Sequence, residues 1–592
     1  MPVARAHVQR LLLSVTAAVS LASSAGCGGP EAKSPKALTV PNPFPTKGAL
    51  DKLARTTPKP MPAREVVSVP EWRVEVESDG DASTVSPIEK RFASNLRLTR
   101  ELRCVARERA RIRVEHGAEP DERVQRFVNG ACGLASPYGV SSYHWTTEVP
   151  AGTTDEQLVA GLKDSITVPP ELQGKAAGVW LARKGSKAVV MMVARDGADV
   201  PVTLSATDTP GKVTVRGTAA ADVDYVIVLV NQGKSGVAQC APDRSVELPQ
   251  YAFTCTLADG DPWTWIEVAA RSSGRLLMRS TALLLARREP NAAVELTPGS
   301  ARSQQGGASD EEIVRTVLDG VNRVRQSGNA APVTLASKQA VVNGRLAPHF
   351  FSAEASADAK TGDLVALGLI AGWDVEGLIK NGDLFGTMLT GARDASSWVD
   401  YALEHPMGRF VLLRPDARQV AIGTTSADGG GIGVLVTTYS FFGAEDHRAS
   451  SARVLDRLAQ ERAARRLPPV TALPDMPSLV DQARLVNAGQ REPMAALDTA
   501  LGTEAQRLGQ PMRGWVLVTN DLDVLQLPKE LLAPGPVAVR VVVTHYRPED
   551  AAWGAYLVYI VSPAPAQQQV AGKPALQARG AFVGARSTRP QP

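Results

Sequence analysis

The chain has 592 residues, about four times the length of a 150-residue domain, so several domains are expected. Apolar residues make up 44% and charged residues 21%, which excludes a wholly disordered chain. The net charge of +4 is too small to imply affinity for nucleic acid or acidic lipid.

The first element is an export signal. Arg5 and Arg10 precede an apolar run from Leu11 to Leu21, too short to span a bilayer as a permanent helix. The small residues Ala25 and Gly26 before Cys27 resemble a bacterial lipobox, with Ser24 where leucine is usual. That resemblance makes Cys27 the acylated N-terminus of a lipoprotein, held on a membrane by its acyl chains. Gly28 follows where an inner-membrane protein would carry Asp, so the resemblance implies the outer membrane or cell surface.

Cysteine usage fits export. With Cys27 lipidated, four of the five cysteines remain: Cys104, Cys132, Cys240 and Cys255. Of the three connectivities open to them, 104–132 with 240–255 is the economical one. No Cys/His cluster suggests structural zinc.

Residues 28–85 open with many prolines and few large apolar residues and read as a tether. Residues 86–198 read as an α/β unit. It has a helix with apolar positions from Phe92 to Val114, a short helix near Val124–Asn129, and a capping box at Thr154 and Gln157. Strands follow at Gly178–Ala182 and Ala188–Ala194. Residues 199–292 turn to short β-type runs with regular turn signals, the pattern of an all-β sandwich.

After a linker at 293–308, residues 309–445 form a third unit. Ser309 with Glu312 makes a second capping box, and apolar positions from Ile313 to Val324 share one helical face. Helices are expected at Leu335–Leu346 and Ala395–Glu404, and strands at Gln419–Thr424 and Gly433–Tyr439. Residues 449–562 repeat the order of helices then strands, with helices at 451–465 and 476–488 and strands at 514–518, 537–544 and 555–561. The first, third and fourth units thus share one theme, consistent with duplication. Residues 563–592 read as a disordered tail.

Several third-unit segments carry a family resemblance. They are Val321-Asn322-Arg323-Val324-Arg325, Ala331-Pro332-Val333-Thr334-Leu335, Trp398-Val399-Asp400, His405-Pro406-Met407-Gly408-Arg409 and Val420-Ala421-Ile422-Gly423. In order and spacing they resemble the CAP superfamily, the SCP-like extracellular domains. The resemblance implies an α-β-α sandwich with a cleft, where many members place two His and two Glu able to hold a divalent metal. Here His349 falls near the first His, between Pro348 and Phe350. The second His is missing from Gly408-Arg409, with His405 three positions earlier. Only Glu376 stands near the missing Glu-Asn pair. With these donors gone, no metal or other cofactor is expected.

Standard catalytic signatures are absent, and Gly233-Lys234-Ser235 has Val228 where a phosphate loop needs glycine. The leading expectation is a non-catalytic, membrane-anchored envelope protein that binds an envelope polymer, a lipid or a protein. The competing expectation is a divergent hydrolase or metal-dependent enzyme using His349, Glu376 and His405. A third is pure scaffolding. His545-Tyr546-Arg547 with Trp553 reads either as a pocket edge or as a strand end.

Overall fold

The computed structural model describes residues 44–564 and 580–582. Excepted are positions 60–65, 68, 70, 76–85, 136–139, 163–165, 169, 196–201, 208, 235, 276, 290–291, 298–308, 391–394, 428–430, 443–446 and 549–550. The signal, Cys27, most of the early tether and most of the tail lie outside the described residues. The fold mixes helices with several small sheets.

The chain divides into two compact units. Of the described residues, the larger holds those in 46–370 and 383–438, and the smaller those in 371–382, 439–564 and 580–582 with Phe44 and Pro45.

In the larger unit, folded structure begins inside the segment expected to be tether. Helix α1 (Lys47–Leu53) is capped by the Thr46 side chain and buries Leu50 against Gly368. Strand β1 (Val66–Val67) and strand β2 (Trp72–Val74) follow, and Trp72 and Val74 are buried. A few apolar residues among many prolines suffice for this, because each finds a partner surface.

Next come α2 (Pro87–Phe92), β3 (Arg97–Leu98), α3 (Arg100–His116), β4 (Glu119–Pro120), α4 (Glu122–Ala131) and β5 (Val140–Glu148). Then follow α5 (Asp155–Gly161), β6 (Ala176–Lys184) and β7 (Lys187–Arg195). The single helix expected from Phe92 to Val114 is two. Thr99 accepts from the Leu102 N–H and starts α3, after a turn at Ser94–Asn95. The Cys104–Cys132 disulfide ties α3 to the end of α4. The sheet order is β3-β6-β7-β5, with β3 parallel to β6 and the other pairs antiparallel.

The β-rich region contains β8 (Val202–Ala206), β9 (Lys212–Thr218), β10 (Val223–Gln232), β11 (Gly236–Gln239) and β12 (Ala241–Pro242). It continues with β13 (Gln250–Thr256), β14 (Trp263–Ser272), β15 (Arg279–Arg287) and β16 (Val294–Leu296). Two four-stranded sheets form, β11-β10-β14-β15 and β12-β13-β9-β8. Val228, Ile266 and Leu284 of the first sheet share a core with Val215, Phe253 and Cys255 of the second. Cys240–Cys255 closes the other disulfide. Disulfides of this kind mark secreted and surface proteins, which fold where thiols oxidise.

The third region has α6 (Asp310–Ser327), β17 (Thr334–Leu335), α7 (Ser337–Ala355), α8 (Ala359–Ala371) and β18 (Ile379–Leu389). It ends with α9 (Ala395–Glu404), α10 (Pro406–Leu412), β19 (Gln419–Ala427) and β20 (Gly431–Phe441). The capping box at Ser309 and Glu312 forms as expected. The sheet order is β17-β19-β20-β18, with β17 parallel to β19. The division between the compact units falls within β18 and β20, not at the linkers flanking 309–445.

The smaller unit contains α11 (His447–Ala464), β21 (Val470–Ala472), α12 (Pro477–Asn487), α13 (Pro493–Leu508) and β22 (Met512–Thr519). After it come β23 (Val537–Tyr546), β24 (Ala555–Pro563) and β25 (Gly580–Phe582). The order is β21-β23-β24-β22-β25, and β21 is again parallel to its neighbour. The first four strands of each α/β sheet therefore have one order, first, third, fourth, second, and β25 extends the sheet of the smaller unit beside β22.

A buried arginine accompanies that order. Arg325, near the end of α6, donates to the carbonyls of Ala331, Leu412, Arg414 and Ala417 at 2.9–3.3 Å. Arg462, near the end of α11, donates to Pro468, Leu531, Ala533 and Gly535. In each case the planar fork ties the helix end to the chain leading into the third strand. Arg91 donates similarly to Val159 and Ile166. Close helix–strand approach recurs as well. A Cβ on Gly178 would sit 2.0 Å from the Leu102 backbone, and one on Gly423 2.3 Å from that of Asn343.

Replacing Arg325 by Met leaves four carbonyls without their donor in a buried site. The expected cost is about 3–5 kcal/mol, read as a lower urea midpoint for the larger unit. Arg325→Lys, which keeps the charge and loses the fork, recovers only part of that loss. An unchanged midpoint for Arg325→Met would contradict the role given to the fork.

Candidate functional site

His349 lies on α7 and is buried. Burial pushes its imidazole pKa below the ordinary 6.5, so the ring is neutral at pH 7. Phe350 and Phe351 beside it meet edge to face at 5.4 Å, and Phe351 reaches Gly433 of β20. Glu376 is exposed, in the connection from α8 to β18, and belongs to the smaller unit.

His405 sits elsewhere, between α9 and α10, where three parts of the larger unit meet. Pro406 at the first turn of α10 fixes the chain direction there. The Glu404 carboxylate accepts from Arg123 Nε at 2.5 Å and also from Arg126, both on α4. The Glu404 carbonyl accepts from Asn231 of β10 at 2.8 Å. The Met407 N–H donates to Glu267 of β14, also at 2.8 Å. Arg409 donates to its own turn at Leu403 and to Gly233 and Gly236 of the β-rich region.

Apolar and aromatic contacts close the same joint. Ile227, Leu229 and Ala269 project from the sheet face opposite the shared core, and Met407 and Phe410 of α10 cover them. Trp265 and Leu285 on that face pack into the core around Phe127 of α4. The Arg126 guanidinium lies 4.1 Å from the Tyr401 ring centre and 5.3 Å from that of Trp265. This sheet is thus buried on both faces, and its outer face is joint rather than open surface.

Burial, with the Arg126 charge second, holds the His405 pKa well below 6.5. Burial raises the Glu267 pKa and, in Tyr401, that of the phenol. Arg409 is pulled down to about 10 by burial and stays charged at neutral pH.

Among the described residues no three His, Cys, Asp or Glu side chains are grouped so that they could hold a metal ion. His349, Glu376 and His405 are therefore not brought together as a metal triad. Sequence reasoning missed the joint partners Arg123, Arg126, Asn231 and Glu267.

The smaller unit has its own histidine cluster. The His447 and His545 rings lie 4.9 Å apart, with Phe442 and Tyr556 against His545. Lys380 Nζ approaches the Tyr556 hydroxyl at 3.4 Å. His545 is buried at the end of β23, as the strand-end reading expects, and the Trp553 ring lies tilted against Phe44 at 4.8 Å. A shallow notch in the larger unit is lined by Ser94, Asn95, Arg97 and Gln173. No helix among the described residues is long and apolar enough to cross a membrane.

Glu404→Gln removes the charge that answers two arginines in a part-buried joint. The expected cost is about 3 kcal/mol, measured as a fall in the thermal or urea transition. Charge-reversed rescue by Arg126→Glu with Glu404→Arg would recover part of it. A Glu404→Gln protein as stable as wild type would contradict the joint.

No protein-family profile and no curated protein matches the chain. Among solved structures it is similar to a cysteine-rich secretory protein from Staphylococcus aureus subsp. aureus Mu50, at 11% identity and a TM-score of 0.17. That match covers 40% of this chain and 84% of the other. It is also similar to an extracellular protein containing a SCP domain from Bacillus anthracis str. Ames, at 11% identity and a TM-score of 0.17. There 41% of this chain and 86% of the other are covered. At that TM-score neither likeness assigns a fold or a function to this chain.

Proposed function

We propose that this chain is a surface-held binding protein, anchored through a lipidated Cys27, that acts without catalysis on an envelope polymer, lipid or protein. In this reading residues 309–445 are an SCP-like unit stripped of its metal donors, and residues 199–292 are a β-sandwich spacer. The first and fourth units are divergent copies of the third. The SCP-like assignment rests on the residue motifs from Val321 to Gly423. The copies rest on the shared strand order, on the buried arginines Arg325 and Arg462, and on the half-buried Arg91.

One observation carries the non-catalytic reading. Glu404 and Arg409, the polar residues flanking His405, are both spent on contacts that hold the β-rich region and the third unit together. A carboxylate already answering two guanidinium groups is a poor general base, because its lone pairs and its charge are taken.

The anchor and the binding activity have separate tests. Cells fed labelled palmitate should label the wild-type chain and not Cys27→Ala; an unlabelled wild-type chain would contradict the anchor. The soluble form from Gly28 onward should co-sediment with insoluble envelope polymer or float with vesicles of envelope lipid. It should release no soluble fragments, and His349→Ala should behave the same. Fragment release lost in His349→Ala would instead favour the hydrolase reading. Binding to neither preparation would overturn the polymer and lipid arms of the proposal.

A further inference from the structure

The joint at Glu404–His405 contains more polar groups than it satisfies. The buried Nε2 of His405, Nε and Nη1 of Arg126, Oδ1 of Asn129, Oδ1 of Asn231 and Nε1 of Trp265 have no hydrogen-bond partner among the described residues. All belong to the elements that meet there: α4, β10, β14 and the α9–α10 corner. The His405 ring is wedged edge-on against Tyr401 at 5.2 Å and tilted against Phe385 of β18 at 5.7 Å. Such a seam is weaker than an apolar one of equal area, because each unpaired buried group forfeits its hydration.

We propose that this seam is an acid-opened joint, in which protonation of His405 releases α10 from the β-rich sheet and the end of α9 from α4. A second proton on His405 has no acceptor at Nε2 in the closed joint and would place a cation beside Arg126. Opening lets water take that charge.

The groups facing His405 set the sign. From α4 comes the Arg126 cation, with Arg123 beyond it; from α9 come Tyr401 and the Glu404 carboxylate; from β14 comes Glu267; from α10 comes Arg409; β18 offers only the Phe385 ring. The closed joint keeps His405 neutral well below its ordinary 6.5, so only the opened form gains the proton as pH falls past that value. Glu267 titrates with the opposite sign, since burial raises its pKa and protonation then favours the closed form. Tyr401 stays neutral and Arg409 stays charged across pH 5.5–7.5.

Amide exchange along α10 in the full chain reads the opening directly. Between pH 7.5 and 5.5, after division by the intrinsic rate, wild-type exchange should rise by up to about tenfold, the linkage limit for one histidine of ordinary pKa, with Glu267 holding it below that limit. The rise should persist in Glu267→Gln, which removes the opposing carboxyl. It should vanish in His405→Gln and in His405→Phe, the second variant guarding against a packing defect in the first. His349→Phe should keep it. An equal rise in both His405 variants would overturn the proposal. So would no rise in wild type and Glu267→Gln, or a rise spread equally over the core strands of every unit.

Discussion

A guanidinium fork buried at a helix end constrains each of the two C-terminal α/β sheets. Arg325 and Arg462 are almost fully enclosed, and each satisfies its charge with four backbone carbonyls rather than with a carboxylate. Lysine could not do this, because a single ammonium has no planar set of donors to reach carbonyls on two sides. The chain entering the third strand ends a short helix, α10 in one case and a 3-10 turn at Lys529–Leu532 in the other, and the last carbonyls of a helix lack donors within it. Fixing that segment sets where the third strand begins, and thereby the parallel pairing with the short first strand.

The larger unit adds a second constraint. Its β-rich sheet β11-β10-β14-β15 has apolar side chains on both faces. One set shares a core with the other sheet, and the other set takes α4 and α10. Arg275 and Arg279 near the turn into β15 pair with Asp363 of α8, holding the same two regions at a separate place. With two attachments, the region acts as a shared wall, and the polar residues near His405 become fasteners. The groups beside His405 are engaged in holding these regions together.

Much of this was legible from local chemistry. Ser309 with Glu312 and Thr154 with Gln157 form reciprocal caps within three residues, so sequence spacing alone locates them. The two disulfides join neighbours in sequence, as the cysteine grouping implied. The β-type runs of residues 199–292 and strand β23 are legible because turn residues bound their apolar stretches. Helix α10 was passed over although Pro406 marks its first turn, and α13 although Ala496, Leu497, Ala500 and Leu501 give it an apolar face. The joint was not legible at all. Arg123 and Glu404 are 281 positions apart, and no local rule brings them together. His405 drew notice as a metal-ligand candidate through family resemblance, whereas its place is set by partners on α4 and β14.

Glu404 and the His405 corner fasten α9 and α10 to α4 and β14. Crystals of the chain soaked in zinc, measured at the zinc absorption edge, test this most directly. The expected anomalous map is empty at His349, Glu376 and His405, with the Glu404 carboxylate still bridging Arg123 and Arg126. A zinc peak ligated by His405 and Glu404, with the arginines displaced, would contradict it.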